Sequence, residues 1–195
     1  MIVGSNEKVV LDLDIDELTG LPNLRGLEKE LDRLIVSIPG SFAICYVDLD
    51  GLKAVNDTEG HEAGNEYIKA AALNLAKSVR TSEDRPSDVV TIARLYGDEF
   101  VALLRGVNEQ ERLDIILERI RQQMDTAGTP ASLNGVIHEV GKGRAALLGE
   151  ADAGMYTDKS ARKRVMFEAL PRRKRVAAWL GEKMLRYAGM NPPRQ

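Results

Sequence analysis

Apolar positions along the chain switch between helical and extended spacing, and their order predicts a mixed α+β domain. Leu24, Leu27, Leu31 and Leu34 recur at three- and four-residue intervals after Gly-Leu-Pro-Asn, so residues 23–35 read as an amphipathic helix. Residues 42–47 are a continuous apolar run between Pro39-Gly40 and an acidic turn, the pattern of a strand. Residues 62–79 read as a helix by their Ala and Leu content, and 89–95 with 100–104 as a hairpin turning at residues 96–99. Residues 109–124 place Leu113, Ile116, Leu117 and Ile120 on one face of a charged helix. Residues 131–140 predict a strand and 145–159 a helix. Beyond Leu170-Pro171, the spacing of Val176, Trp179, Leu180, Met184 and Tyr187 predicts one more apolar helical stripe.

Composition narrows the class. The chain has 195 residues, 44% hydrophobic, 29% charged and 5% aromatic, which suits one globular core and excludes a disordered polymer. No apolar stretch approaches the roughly 20 residues that cross a bilayer. Residues 1–13 lack the basic start and apolar middle of a signal peptide, and Cys45 is the sole cysteine, so a cytoplasmic location without an internal disulfide is expected. The net charge of -3 conceals an asymmetry: residues 159–195 carry eleven Lys/Arg against Glu168 and Glu182, or +9, leaving -12 on the rest. A basic tail on an acidic body suits docking on the core or on a second copy, with anionic lipid the alternative suggested by basic residues near Trp179. No helix-turn-helix or aromatic-interleaved motif supports nucleic acid as a partner.

Three polar segments carry the candidate chemistry: Asp48-Leu49-Asp50, residues 56–65, and Gly97-Asp98-Glu99. An acidic pair at the end of one strand and another in a hairpin turn can present oxygens together. Hard oxygen ligands of that kind select Mg²⁺ or Mn²⁺, cations that sit on substrate phosphates. Asp-Leu-Asp alone is more often a solvated turn; the second acidic pair and the blocks around it reverse that reading.

Four blocks in order, Asp16 to Asn23, Asp48 to Gly64, Arg94 to Phe100 and Ala151 to Lys159, resemble the GGDEF domain, the catalytic module of diguanylate cyclases. The resemblance implies a mostly antiparallel central sheet flanked by helices, similar to the palm of nucleotide cyclases. It divides the chain into a lead-in (1–15), a GGDEF domain (16–166) and a basic amphipathic C-terminal helix and tail (167–195). It also implies condensation of two GTP into cyclic di-GMP with release of pyrophosphate, in a homodimer whose two subunits each hold one triphosphate. Asp48, the Leu49 carbonyl and Asp98 would hold Mg²⁺ or Mn²⁺. Asp98 and Glu99 would be catalytic, helping to deprotonate the ribose 3′-hydroxyl. Gly51, Leu52, Lys53, Asn56, Asn65, Gly97, Lys159 and Arg162 would bind substrate. Regulation by a partner acting through the C-terminal helix is compatible with this scheme. Thr19, Asp50, Asp57 and His61 fall in the blocks but are expected to be structural, and Cys45 to be inert core.

Two positions depart from the family pattern. Tyr96 stands where the signature begins with glycine, a residue used for unusual backbone angles or for close approach of a ligand. Asn65 stands where the family has an aspartate that recognises guanine. A carboxylate accepts from both guanine donors, whereas an amide offers one acceptor and one donor group, a pattern that also pairs with adenine, so ATP and a mixed or all-adenine product enter as alternatives. The Arg85 to Asp88 stretch resembles the family's inhibitory RxxD motif but ends two residues farther from the signature, and a Pro-containing turn is the expected reading. The alternative to the enzyme is a degenerate domain that binds GTP or a cyclic dinucleotide without turnover.

Overall fold

The computed structural model describes residues 13–79 and 89–169. The predicted C-terminal helix and the Arg85 to Asp88 stretch lie outside the described residues. Among the described residues the elements follow in the order α1 (Leu24–Ser37), β1 (Phe42–Leu49), α2 (Leu52–Glu59), α3 (His61–Ser78), β2 (Val89–Arg94), β3 (Glu99–Arg105), α4 (Gln110–Thr126), β4 (Ala131–Ile137) and α5 (Arg144–Ala169). The strands form one sheet in the order β2-β3-β1-β4, and every neighbouring pair is antiparallel. This is the expected α+β architecture.

Helices cover both faces of the sheet, which explains why β1 is apolar throughout rather than alternating: all eight of its residues are buried. Phe42, Ile44 and Tyr46 face Leu27, Leu31 and Leu34 of α1 and Leu147, Ala151 and Met155 of α5. Ala43, Cys45, Val47 and Leu49 face Ile68, Ala71 and Leu75 of α3 and Leu113, Ile116, Ile120 and Met124 of α4. Burial pushes the Cys45 thiol up to about 12, in keeping with inert core. Because side chains alternate along a strand, Asp48 falls on the face of Tyr46, toward α5.

Element bounds depart from the predicted ones where tertiary contacts decide. Glu99 belongs to β3 rather than to the turn, because it pairs with Asp48 across β1. The strand predicted over 131–140 ends at Ile137. The fully buried His138 follows: it accepts from the Gly40 N–H through Nδ1 (3.1 Å), leaves Nε2 to meet the Lys142 carbonyl (2.9 Å) and stacks on Phe42. A helix, α2, occupies residues for which no helix is predicted; none of its side chains is buried, so it has no apolar stripe to read. α5 continues past residue 159 and through the 166/167 boundary of the sequence division.

Candidate functional site

The open end of β1 is where the acidic blocks meet. Asp48 and Glu99 are direct cross-strand partners on one face of the sheet, and the Leu49 N–H donates to the Asp98 carbonyl (3.0 Å), bringing the hairpin turn beside the strand end. Like charges placed opposite one another on a sheet are destabilising, so a fold that keeps this pair needs compensating groups. Lys159, from α5, supplies one: its Nζ donates to Asp48 Oδ1 at 2.6 Å, with both side chains almost wholly buried. The Asp48 carboxyl is nevertheless pushed up to about 6, first by burial and further by the Asp98 and Glu99 charges, which together outweigh Lys159.

A cavity of about 420 Å³ opens beside this cluster, lined by Leu49 to Ala54, Asp57, Asp98, Lys159, Arg162 and Lys163. That size lies in the range of small-molecule sites. Gly51 precedes the first residue of α2, and no side chain caps that end, so the first-turn amides of Leu52 and Lys53 meet the cavity with the positive end of the helix. Lys53, Lys159, Arg162 and Lys163 set cations against Asp50, Asp57 and Asp98 around one opening, a polarity suited to a phosphate chain carrying a cation.

Of the expected site residues, Leu49, Gly51, Leu52, Lys53, Asp98, Lys159 and Arg162 line the cavity, and Asp48 and Glu99 stand beside it through their pairings. Asn56, Asn65 and Gly97 do not line it. Asn56 lies on α2 against Gly64 of α3, the neighbour of the exposed Asn65, so both amides share the α2–α3 corner. Arg162 has a role the sequence did not suggest. Its Nε donates to Asp50 Oδ2 (3.1 Å) and its Nη2 to Asp125 Oδ1 (2.8 Å), tying α5 to the strand end and to α4.

Tyr96 occupies its glycine position without a strained backbone. No non-glycine residue among those described has positive φ, whereas Gly97, the next residue, has φ of 50° and closes the turn. The Leu95 N–H bonds the Glu99 carbonyl, and the Glu99 N–H bonds the Tyr96 carbonyl, at 2.8 Å each. Backbone geometry therefore does not require glycine at 96, and the Tyr96 side chain stands 63% exposed.

Several supporting residues fall outside the expected set. Arg94 grips both Asp16 oxygens (3.1 and 3.0 Å) and, through Nε and Nη2, the Gly97 carbonyl (3.0 and 2.8 Å), joining the first block to the hairpin turn. Burial raises the Asp16 carboxyl, but its hydrogen bonds to Thr19 and Arg94 reverse this and hold it below the ordinary range. Thr19 thus has the structural role expected of it. Asp50 accepts from Ser132 Oγ at 2.8 Å, and Asp158 accepts from both Arg121 and the Leu133 N–H, fixing α5 on β4 one residue before Lys159. The adjacency of Asp158 to Lys159 was the available signal for it.

The donor set suits a divalent cation, since Asp48, Asp98 and Glu99 interact electrostatically and the Asp48 carboxyl is held above the usual carboxylate range. Among the described residues, no three His, Cys, Asp or Glu side chains gather as a metal site by themselves. A cation here would draw on two carboxylates, a backbone carbonyl and its substrate, the usual situation for Mg²⁺.

Comparison with known proteins agrees with this geometry. The family model for the diguanylate cyclase GGDEF domain matches residues 13–164, and the chain belongs to that family. It is 35% identical over 163 residues to the response regulator PleD of Caulobacter vibrioides, covering 75% of this chain and 34% of PleD. It is 31% identical over 165 residues to the diguanylate cyclase DgcZ of Escherichia coli, covering 79% and 53%. Among solved structures, diguanylate cyclase SiaD of Pseudomonas aeruginosa, in complex with its activator SiaC, superimposes with a TM-score of 0.65 at 28% identity, covering 75% of this chain and 58% of that one. Relatives from Mycobacterium bovis and Mycobacterium tuberculosis are 38% identical over 112 residues, a match that spans 57% of this chain and 17% of their own length. No helix among the described residues is long and apolar enough to cross a membrane.

Proposed function

We propose that this chain condenses two purine nucleoside triphosphates, two GTP in the first instance, into a cyclic dinucleotide with release of pyrophosphate. The observation that carries this reading is the cross-strand pairing of Asp48 with Glu99, with Asp98 at the adjoining turn, beside a cavity to which Lys53, Lys159, Arg162 and Lys163 bring cations. A fold keeps a like-charge pair of a buried and a half-buried carboxylate at a cost, and a polyanionic substrate with its cation supplies a reason for it.

Each group then has a task. The α2 amides of Leu52 and Lys53, with Lys53 and Lys159, hold the triphosphate, while Asn56 and Asn65 at the α2–α3 corner meet the base. Asp98 and Glu99 take the proton of the ribose 3′-hydroxyl as its oxygen bonds to the α-phosphorus of the facing nucleotide. The α–β phosphoanhydride bond breaks, and pyrophosphate carries away the electron pair. A bound Mg²⁺ or Mn²⁺, held by Asp48, the Leu49 carbonyl and Asp98, would offset the charge of the phosphates. Because one cavity holds one triphosphate, the cycle needs two chains face to face, and we assign a homodimer to the active state. Arg162 contributes by anchoring α5 through Asp50 and Asp125, so that Lys159 is presented on a fixed helix.

The amide of Asn65 widens the base preference toward adenine, making cyclic GMP-AMP or cyclic di-AMP accessible products. A second reading, a module that binds GTP or a cyclic dinucleotide without turnover, is favoured by the Tyr96 side chain, which stands at the turn two residues from Asp98. Regulation by a partner that engages the basic C-terminal segment completes the proposal, as SiaD is bound to its activator.

The test is incubation with Mg²⁺ or Mn²⁺ and GTP, ATP or both over a wide range of protein concentration. Products are identified by mass spectrometry, with Asp98→Ala as control. Cyclic di-GMP made by the wild type and lost in the variant supports the enzyme; a mixed product makes Asn65 the specificity switch. Cation-dependent GTP binding without product at any concentration supports the binding module instead.

A further inference from the structure

Tyr46 belongs to none of the sequence blocks, yet its hydroxyl reaches the site. It lies two residues before Asp48 on β1 and therefore on the same face. Its cross-strand partner on β3 is Val101, which places Glu99 on the diagonal, within reach of an aromatic side chain. The ring is 8% exposed, packed in the core shared by α1, α5 and the sheet, and the hydroxyl donates to Glu99 Oε2 at 2.8 Å.

The opposed carboxylates of Asp48 and Glu99 are thus held by two different kinds of donor. Asp48 is met by Lys159, a charge on a flexible stem that can pass to another anion. Glu99 is met by a phenol whose ring is locked in the core and cannot follow it. We infer that Tyr46 is a positioning residue of the site: its hydroxyl fixes Oε2 of Glu99, so that Oε1 is the oxygen left to take a proton or share a cation. Burial, then the bond to Glu99, and the charges of Glu99, Asp152 and Asp48 all push the pKa of the phenol upward, which keeps it protonated and a donor. This inference rests on the reading of the site given above.

Tyr46→Phe removes the hydroxyl and keeps the ring. Two readouts are needed: steady-state turnover of GTP, and Mn²⁺ affinity measured by electron paramagnetic resonance in the wild-type and Glu99→Gln backgrounds. The expected result is a melting temperature close to wild type, a KM within about twofold and a kcat lower by about tenfold, the scale of one hydrogen bond to a charged group. Mn²⁺ affinity falls in the wild-type background and is unmoved by the substitution in the Glu99→Gln background, because the phenol acts through that carboxylate. Unchanged kcat and Mn²⁺ affinity would overturn the inference, as would an equal loss of Mn²⁺ affinity in both backgrounds, which marks a merely structural tyrosine. A wild type that forms no product but shows the background-dependent Mn²⁺ effect refutes the enzyme and leaves the positioning role standing; a wild type that binds no Mn²⁺ overturns both.

Discussion

Replacing Gly64 with alanine adds one methyl group inside α3, and the structure shows what that methyl meets. A Cβ at this position would overlap Asn56 Oδ1 and lie 2.9 Å from its Cγ and 3.4 Å from its Nδ2. Carbon atoms in ordinary contact are about 3.5–4.0 Å apart, so Cγ has to retreat by roughly 0.6–1.1 Å, and the amide turns away with it. The obstacle is the end of a side chain rather than backbone, so the helix itself tolerates the methyl. Alanine within a helix is favoured over glycine by roughly 0.5–1 kcal/mol, which offsets the cost of moving Asn56. The fold is therefore expected to keep its stability within about 1 kcal/mol in urea unfolding. Nucleotide recognition is expected to suffer, because a displacement near 1 Å takes the amide out of the narrow distance range of a hydrogen bond. A base left with an unmet polar group loses about 1–3 kcal/mol, so GTP affinity measured by titration calorimetry should weaken by roughly 5- to 150-fold. Unchanged GTP affinity in a stably folded Gly64→Ala variant would refute the assignment of Asn56 to the base.

Other substitutions test the supports. Arg94→Lys keeps the charge but loses the fork that spans Asp16 and the Gly97 carbonyl; a loss of about 1–3 kcal/mol in urea unfolding is expected, and a change below about 0.5 kcal/mol would remove Arg94 as the strut of the turn. His138→Leu strips partners from the Gly40 N–H and the Lys142 carbonyl, and the same measurement should fall by a similar amount, whereas a neutral result would mean water replaces the imidazole. Asp48 holds its proton up to about 6 in the fold against 3.8 ordinarily, so its contribution to stability is present in acid and is lost as pH rises from about 4 to about 6. A cation must displace that proton, so Mn²⁺ affinity should climb by up to about tenfold per pH unit below about 6 and flatten above it; a flat profile from pH 5 to 8 would count Asp48 out as a ligand.

The fold was legible wherever a side chain's periodicity reflects burial against one partner. The leucines of α1 and the apolar face of α4 predicted their helices because each buries a single stripe. β1 was legible as a run, since burial on both faces leaves no polar position before Asp48. α2 was not, because none of its eight residues is fully buried and only Leu52, Val55 and Asn56 are half-buried, too little to print an apolar stripe. Nor was the early end of β4: the His138 N–H still bonds the Phe42 carbonyl, while its imidazole is held by the Gly40 N–H, 98 residues away along the chain, and meets the Lys142 carbonyl, 4 residues away.

The candidate site divides along the same line. Motif spacing named Asp48, Asp98 and Glu99, whose roles depend on lying at element ends that the pattern locates, and Lys159 within α5. It could not name what holds them, because Tyr46, Asp125 and Asp158 reach their partners through tertiary contacts with no fixed interval. Tyr46 came nearest to being readable: a residue two positions before a buried carboxylate on a strand must share its face, and a phenol there is suited to a neighbouring acid. Tyr96 shows the converse, where the family pattern suggested strain that the backbone does not have. Gly97 alone carries the positive φ of the turn, so whatever glycine at position 96 does in relatives is a matter of the space its missing side chain leaves, not of the angles it adopts. For this chain the question at position 96 is therefore steric: a phenol that is 63% exposed occupies solvent, and its effect depends on whether the second nucleotide enters by that path.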